Sequence, residues 1–310
     1  MKPPLVSAII SAYNSEKFIK AAIESILNQS YSNLEIIVFD DISTDSTIPI
    51  CELFLNLENF RLIKANEHTG NIAKARNYSI EIANGEYVAF LDSDDLWEPD
   101  KIEKQMKYIE EFPIICSDAK IVDENNKILS ESYFAKFGYI NDVNLERLLL
   151  DNLVITSSVL AKKELIINSG KFSEEQGFFA EDYALWLNIV KQHTIKFISS
   201  PLIRYRRHIG NGSYVYRAKL LLESIHLKNL FVSDKDIKLK KAAIKSIIEI
   251  KTELTGIYLR NNMFRSSFQN MFYVLWYFTP KLSVRYLKFY IKFIYLLLKK
   301  LFIGVFTSKK

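Results

Sequence analysis

The sequence predicts an α/β protein built on a mostly parallel sheet, with a helical appendage at its C-terminal end. Three observations carry this prediction. Short apolar runs alternate with helix-like segments through residues 5–91. Those runs end in polar residues at Tyr13-Asn14, Asp40-Asp41 and Asp92-Ser93-Asp94-Asp95. From about residue 215 the pattern changes to one dominated by helix-like segments. Strands spaced by helices make βαβ units, and parallel sheets bind ligands beyond the carboxyl ends of their strands. Three polar ends gathered on one edge mark that edge as the candidate site.

Residues 5–11 read as a strand, and residues 15–28 as a helix with Phe18, Ala22 and Ile26 on its apolar face and Ser15 as its N-cap. Residues 34–39 form a second apolar run, closed by the acidic turn Asp40-Asp41. A strand at 60–64, a helix at 71–83 and a strand at 87–91 follow. Residues 99–110 read as a helix opened by proline, 114–117 as a strand, and 120–130 as a hairpin turning on Asp-Glu-Asn-Asn. Residues 131–156 give no firm reading. A helix is expected at 181–191, and strands near 194–198 and 202–205. Helices are expected at 216–230, 234–260 and 283–305, with Gly256 as a point where the second bends or ends. The chain thus divides into residues 1–215, with halves at 1–95 and 96–215, and a helical region at 216–310.

Composition narrows the class. The chain has 310 residues, 49 % hydrophobic and 25 % charged, which excludes a disordered or fibrous protein. Cys51 and Cys116 sit in apolar surroundings at no paired spacing, as buried thiols of a reducing compartment do. The 4 histidines show no zinc-ligand spacing. The net charge of +5 is concentrated near the C-terminus, where residues 281–310 hold eight Lys and Arg and no acid. A nucleic-acid footprint across the main domain is therefore not expected.

Asp92 and Asp94, two apart in a turn after a strand, can face the same way and hold Mg²⁺ or Mn²⁺ against a diphosphate. Read alone, the same residues also make a solvated acidic turn that caps the next helix.

Their context is more specific. The runs Val6–Asn14, Asn28-Gln29-Ser30-Tyr31, Phe39–Asp45, Gly70–Asn77, Gly85-Glu86-Tyr87, Leu91–Asp95 and Glu181–Trp186 occur in order. Over residues 5–210 they strongly resemble the family-2 glycosyltransferases of the GT-A fold. The resemblance implies a donor half at 1–95 and an acceptor side at 96–215. It implies that Ser11, Ala12 and Tyr13 line the nucleobase pocket, and that Asp41 accepts a hydrogen bond from the base, usually a uracil. Asp40 would support that loop. Arg76 would lie near the nucleotide, Asp92 with Ser93 toward the ribose, and Asp94 on the metal. Where the family has glycine after the Asp pair, this chain has Ile42. Asp182 matches the base that deprotonates the acceptor hydroxyl, with Glu181 the lesser choice; Trp186, one turn on, can contact the acceptor or pack, and packing is slightly favoured. A single base implies inversion at the anomeric carbon. Arg206 and His208, in the last matching block, would contact the diphosphate or approach the metal. For each residue a plainer role stays open: turn, cap, packing or surface.

On a 100° wheel Lys281, Arg285, Lys288, Lys292 and Lys299 share one face of an otherwise apolar segment. That pattern reads as a helix lying on an anionic membrane surface, and packing against protein is the alternative. The expected protein is a cytoplasmic enzyme, peripheral on the inner face of the membrane. Its expected partners are a nucleotide-sugar donor and a glycan or lipid-linked acceptor; oligomeric state is not legible. Two other classes compete. A nucleotidyltransferase would carry a Gly-rich basic loop after its first strand, where this chain reads Ser-Ala-Tyr-Asn-Ser-Glu. A non-catalytic membrane-docked scaffold would have no need of Asp94 and Asp182.

Overall fold

The computed structural model describes residues 3–278 except 139, 141, 176 and 262. The described strands join one mixed sheet. Its first half is β1 (Val6–Ala12), β2 (Leu34–Asp40), β3 (Phe60–Lys64) and β4 (Tyr87–Asp92), all parallel, in the order β3-β2-β1-β4. Helices α1 (Ile19–Leu27), α2 (Thr47–Glu52) and α3 (Ile72–Ile82) make the crossovers. β1 and β2 are almost wholly buried, which explains their continuous apolar sequence. β2 lies on one side of β1 and β4 on the other, so the chain reverses direction across the sheet at β1. Such a switch point opens a crevice at the carboxyl ends.

The second half is antiparallel at its join. β8 (Leu160–Lys162) pairs with β4 and with β6 (Ile114–Val122). β9 (Lys196–Arg206) runs parallel to β6 and pairs with the short β5 (Leu96–Trp97), while β7 (Ile128–Ser130) completes a hairpin with β6. The hairpin turns on Asn126 at φ +64°. β9 is one strand where two are expected. Pro201 lacks an N–H, and the register shifts opposite it, beside Asp118, so the ladder continues past it.

Helices α4 (Lys101–Met106), α5 (Leu145–Leu150), α6 (Lys163–Asn168), α7 (Glu181–Ile189) and α8 (Gly212–Val215) complete residues 1–215. Ser15 does not cap α1 with its side chain. Its carbonyl accepts from the N–H groups of Phe18 and Ile19, while its hydroxyl turns to Ser93. Residues 131–156 hold α5 and short irregular turns, too brief to carry a period.

Residues from Tyr216 onward form a separate compact unit. Its described part is α9 (Arg217–Asn229), α10 (Ile237–Arg260) and α11 (Phe264–Phe278), packed around Leu221, Ile225, Ile247 and Leu254. Asp236 caps α10 by accepting from the N–H of Lys238 at 2.7 Å. α10 does not end at Gly256 but continues to Arg260, because packing outweighs the roughly 1 kcal/mol helix penalty of one glycine. α11 was not expected from the sequence. The basic segment 281–310 lies outside the described residues. Among those described, no helix is long and apolar enough to cross a membrane.

Candidate active site

The carboxyl ends of β1, β2 and β4 stand side by side. Ala12 is opposite Asp40, and Ser11 is opposite Asp92. Ala12 is buried, and the Ser11 hydroxyl is sealed without a hydrogen-bond partner among the described residues. Tyr13, just past the strand, is 48 % exposed. Its ring stacks on His68 with centroids 4.5 Å apart. Asp40 is fully buried and ties down its own turn, accepting from the N–H of Ser43 at 2.9 Å and from its hydroxyl at 2.5 Å. Asp41 orders the neighbouring loop: Oδ1 accepts from the N–H of Thr69 at 2.8 Å and Oδ2 from that of Gly70 at 2.9 Å. His68 Nδ1 lies 3.0 Å from the same Oδ2. A carboxylate offers about four lone-pair sites, so a further donor can still be accepted there. Ile42 is held at φ +59°, the left-handed region that glycine favours.

The acidic loop after β4 has four differently employed side chains. Asp92 Oδ1 accepts from Arg76 Nη2 at 2.7 Å, and its backbone N–H donates to Ser157 Oγ at 3.0 Å. Ser93 Oγ meets Ser15 Oγ at 2.7 Å. Asp94 Oδ2 lies 2.8 Å from His208 Nε2 and accepts from Asn211 Nδ2 at 3.0 Å. Asp95 is buried, accepting from Ser157 Oγ at 2.6 Å and from the N–H of Arg206 at 2.8 Å. Burial, then the charges of Asp94 and Asp92, push the Asp95 carboxyl well above the usual range. β9 therefore delivers the 206–211 segment onto the acidic loop.

Asp182 lies in the first turn of α7, where the helix N-terminus favours negative charge. Oδ2 accepts from Thr156 Oγ1 at 2.9 Å, and Oδ1 from the N–H of Tyr183 at 2.5 Å. Burial raises its proton affinity above that of an ordinary Asp; Arg76 and the Thr156 hydroxyl act in the other direction without cancelling the rise.

Three expected contacts need correction. Glu181 is buried against Arg76 at 2.8 Å and is not available to an acceptor. Trp186 is fully buried with its ring edge-on to Phe172, so of its two readings it takes the slightly favoured one, packing, and the acceptor contact falls away. The Arg206 guanidinium is spent on the carbonyls of Asp94, Asp123 and Glu124 and lies 4.8 Å over the Phe18 ring, so it braces the loop from behind. Arg76 is no surface residue either; it is buried between Asp92 and Glu181. Sequence reading missed His68, Thr156 and Ser157 as site neighbours, while Asn211, read as part of the last matching block, is found on Asp94. The run Thr156-Ser157-Ser158, three hydroxyls set inside an apolar stretch, was the signal available for two of them.

The family described as "Glycosyl transferase family 2" matches residues 7–160. A curated relative, the Escherichia coli "UDP-Glc:alpha-D-GlcNAc-diphosphoundecaprenol beta-1,3-glucosyltransferase WfaP", is 34 % identical over 230 residues, covering 73 % of this chain and 86 % of the relative. The chain belongs to glycosyl transferase family 2. The Bacillus subtilis "Putative teichuronic acid biosynthesis glycosyltransferase TuaG" is 43 % identical to this transferase over 212 residues, 67 % of this chain and 81 % of the relative. Solved structures share the fold. S. aureus TarS in complex with UDP-GlcNAc superposes with TM-score 0.61 at 22 % identity, covering 93 % of this chain and 79 % of that one. Mannosyltransferase PcManGT from Pyrobaculum calidifontis, in complex with GDP-Man and Mn²⁺, gives 0.63 at 19 %, covering 95 % and 85 %. The GT-A-like α/β fold and transfer of a sugar from a nucleotide-sugar donor to an acceptor follow from this membership.

Proposed function

We propose that this family member is an inverting, cation-assisted transferase that moves a hexosyl or N-acetylhexosaminyl group from a UDP-sugar to a hydroxyl of a lipid-linked saccharide. The observation that carries the reading is Asp182: one carboxylate, set by Thr156, on the acceptor side of an Arg76 bridge that ends on Asp92. Asp182 takes the proton of the acceptor hydroxyl as that oxygen bonds to the anomeric carbon, and the bond from that carbon to the diphosphate breaks on the opposite face. Raised proton affinity suits a base, since proton transfer is best matched when the pKa approaches the working pH.

On the donor side, Tyr13 offers its exposed ring to the base, and Asp41 accepts an N–H from it. Asp92 lies toward the ribose with Ser93. The residues fit a divalent cation of the kind that takes most of its ligands from phosphate and water. Among the described residues no three His, Cys, Asp or Glu side chains gather to hold one unaided. Asp94 supplies the carboxylate that suits Mn²⁺ or Mg²⁺, and the His208 imidazole beside it is a nitrogen donor that fits Mn²⁺ better than the harder Mg²⁺. When bound, the cation neutralises charge on the departing diphosphate.

Two relatives from Escherichia coli carry names that pair UDP-Glc with a diphosphoundecaprenol-linked GlcNAc acceptor, which supports a UDP-sugar and a lipid-linked acceptor for this chain. The basic segment at 281–310 is proposed to bring the enzyme to anionic lipid on the cytoplasmic face. Flotation with anionic vesicles should be lost when the chain is cut before residue 281, and equal flotation of both forms would reject that anchor.

The test is a panel of UDP-Glc, UDP-GlcNAc and GDP-Man with Mn²⁺ or Mg²⁺ and a polyprenyl-diphosphate-linked sugar. Nucleoside-diphosphate release and the product's anomeric configuration are read together. A β-linked product from an α-linked UDP-sugar supports the proposal. An α-linked product, or no turnover of any UDP-sugar, would overturn it.

A further inference from the structure

The turn Thr156–Ser158 sits between the two working parts of the site, touching both through consecutive side chains. Thr156 Oγ1 donates to Asp182 Oδ2 at 2.9 Å. Ser157 Oγ, one residue on, donates to Asp95 Oδ2 at 2.6 Å and accepts from the Asp92 N–H at 3.0 Å. The Ser157 carbonyl also accepts from Trp97 Nε1 at 3.0 Å, and the Ser158 carbonyl accepts from Gln105 Nε2 at 2.7 Å. Thr156, Ser157 and Ser158 are all buried. The turn leads straight into β8, which is paired to β4 through Ala89 and Leu160, so its height on the sheet is fixed by the strand that carries Asp92.

We infer that this turn is the element that sets the spacing between base and diphosphate loop, with Thr156 a positioning residue that holds Asp182 in its working orientation. The inference rests on the reading of Asp182 as the base. Threonine suits the task better than serine, because its branched Cβ restricts χ1 and aims the hydroxyl before substrate arrives. A buried hydroxyl–carboxylate bond is also worth more than a neutral one. The charged groups facing Asp182 are Arg76 from α3, Asp92 from β4 and Glu181 from α7 itself. None of them changes when only the Thr156 hydroxyl is removed, so its effect on the base can be isolated.

The experiment compares Thr156→Val, Thr156→Ser, Ser157→Ala and Asp182→Asn in the full chain. Valine keeps the shape and deletes the donor. Thr156→Val is expected to lower kcat at neutral pH by about 10-fold, the scale of one hydrogen bond to a charged group. Its acidic limb should move to higher pH, because a carboxylate that loses a donor holds its proton more tightly. The donor KM should stay unchanged. Thr156→Ser should recover most of kcat and return the limb to its original position. Ser157→Ala should do the reverse, raising the KM for donor with little effect on the limb. UDP binding by the Thr156 variants serves as the folding control. An unmoved acidic limb in Thr156→Val, with Asp182→Asn inactive, would overturn this inference and leave the base assignment standing. Full transfer by Asp182→Asn would remove the base assignment, and the role of Thr156 with it.

Discussion

Arg76 and Glu181 form an ion pair at 2.8 Å with side chains only 6 % and 8 % exposed. The other arm of the same guanidinium holds Asp92 at 2.7 Å. One cation thus ties the carboxylate at the end of β4 to the helix that carries Asp182. Removing one partner of a buried pair leaves the other charge uncompensated. Arg76→Met is therefore expected to destabilise residues 1–215 by about 3–5 kcal/mol, measured by urea unfolding. A loss below about 1 kcal/mol, the level of an exposed pair, would show that water reaches this site.

Glu181 gives that pair a pH dependence. Burial first, then the charge of Asp182, raise its carboxyl from the ordinary 4.5 to about 7, even with Arg76 opposing. The folded state therefore holds a proton that the unfolded state has released between these values. Stability from this group is complete below the unfolded value and is lost as pH rises through the folded one. Glu181→Gln keeps an oxygen for Arg76 and removes the titration. The difference in unfolding free energy between pH 4.5 and pH 8 should shrink in the variant, with Asp95 still contributing in the same direction. An unchanged difference would reject the assignment.

On the proposed reading Asp94 and His208 serve donor binding and Asp182 serves transfer, so variants should separate the two. Asp94→Ala should abolish the part of UDP binding that depends on Mn²⁺, as read by calorimetry with and without chelator. His208→Ala should weaken that part about 10-fold or more. Asp182→Asn should bind UDP and Mn²⁺ like the parent and fail to transfer. Cation-dependent binding that survives Asp94→Ala would place the cation elsewhere.

Much of residues 1–95 was legible because buried parallel strands write themselves as unbroken apolar runs, and Tyr13, Asp41, Asp92 and Asp94 fall where those runs stop. Residues 96–215 were less so. Thr156 and Ser157 lie in a turn too short to show a period, and their partners are distant in sequence. Glu181 and Asp182 are adjacent and chemically alike, yet successive helix residues point about 100° apart, so one meets Arg76 and the other Thr156. Only three-dimensional packing tells them apart. The same holds for Trp186 and Arg206, whose types suit ligand contact and whose surroundings commit them to the core and to the backbone.

Ile42 is where sequence and backbone disagree, and the disagreement can be measured. At φ +59° a β-branched residue is a conformational outlier that costs on the order of 1–3 kcal/mol. Ile42 as a residue is 37 % exposed, so part of its apolar surface gains nothing from burial. Glycine adopts this φ freely, at an entropic cost of about 0.5–1 kcal/mol in the unfolded chain. The buried remainder of the side chain, worth roughly 1–2 kcal/mol, and the entropy of glycine together offset most of the strain, so Ile42→Gly should leave stability within about 1 kcal/mol of the parent, with unchanged urea slope. The turn is already held from both sides, by Asp40 on Ser43 and by Asn14 on Thr44, so the Asp41 contacts to Thr69 and Gly70 should persist. UDP affinity should then be unaltered. A variant destabilised beyond that range would mean that the Ile42 side chain contributes more through packing than its backbone loses through strain.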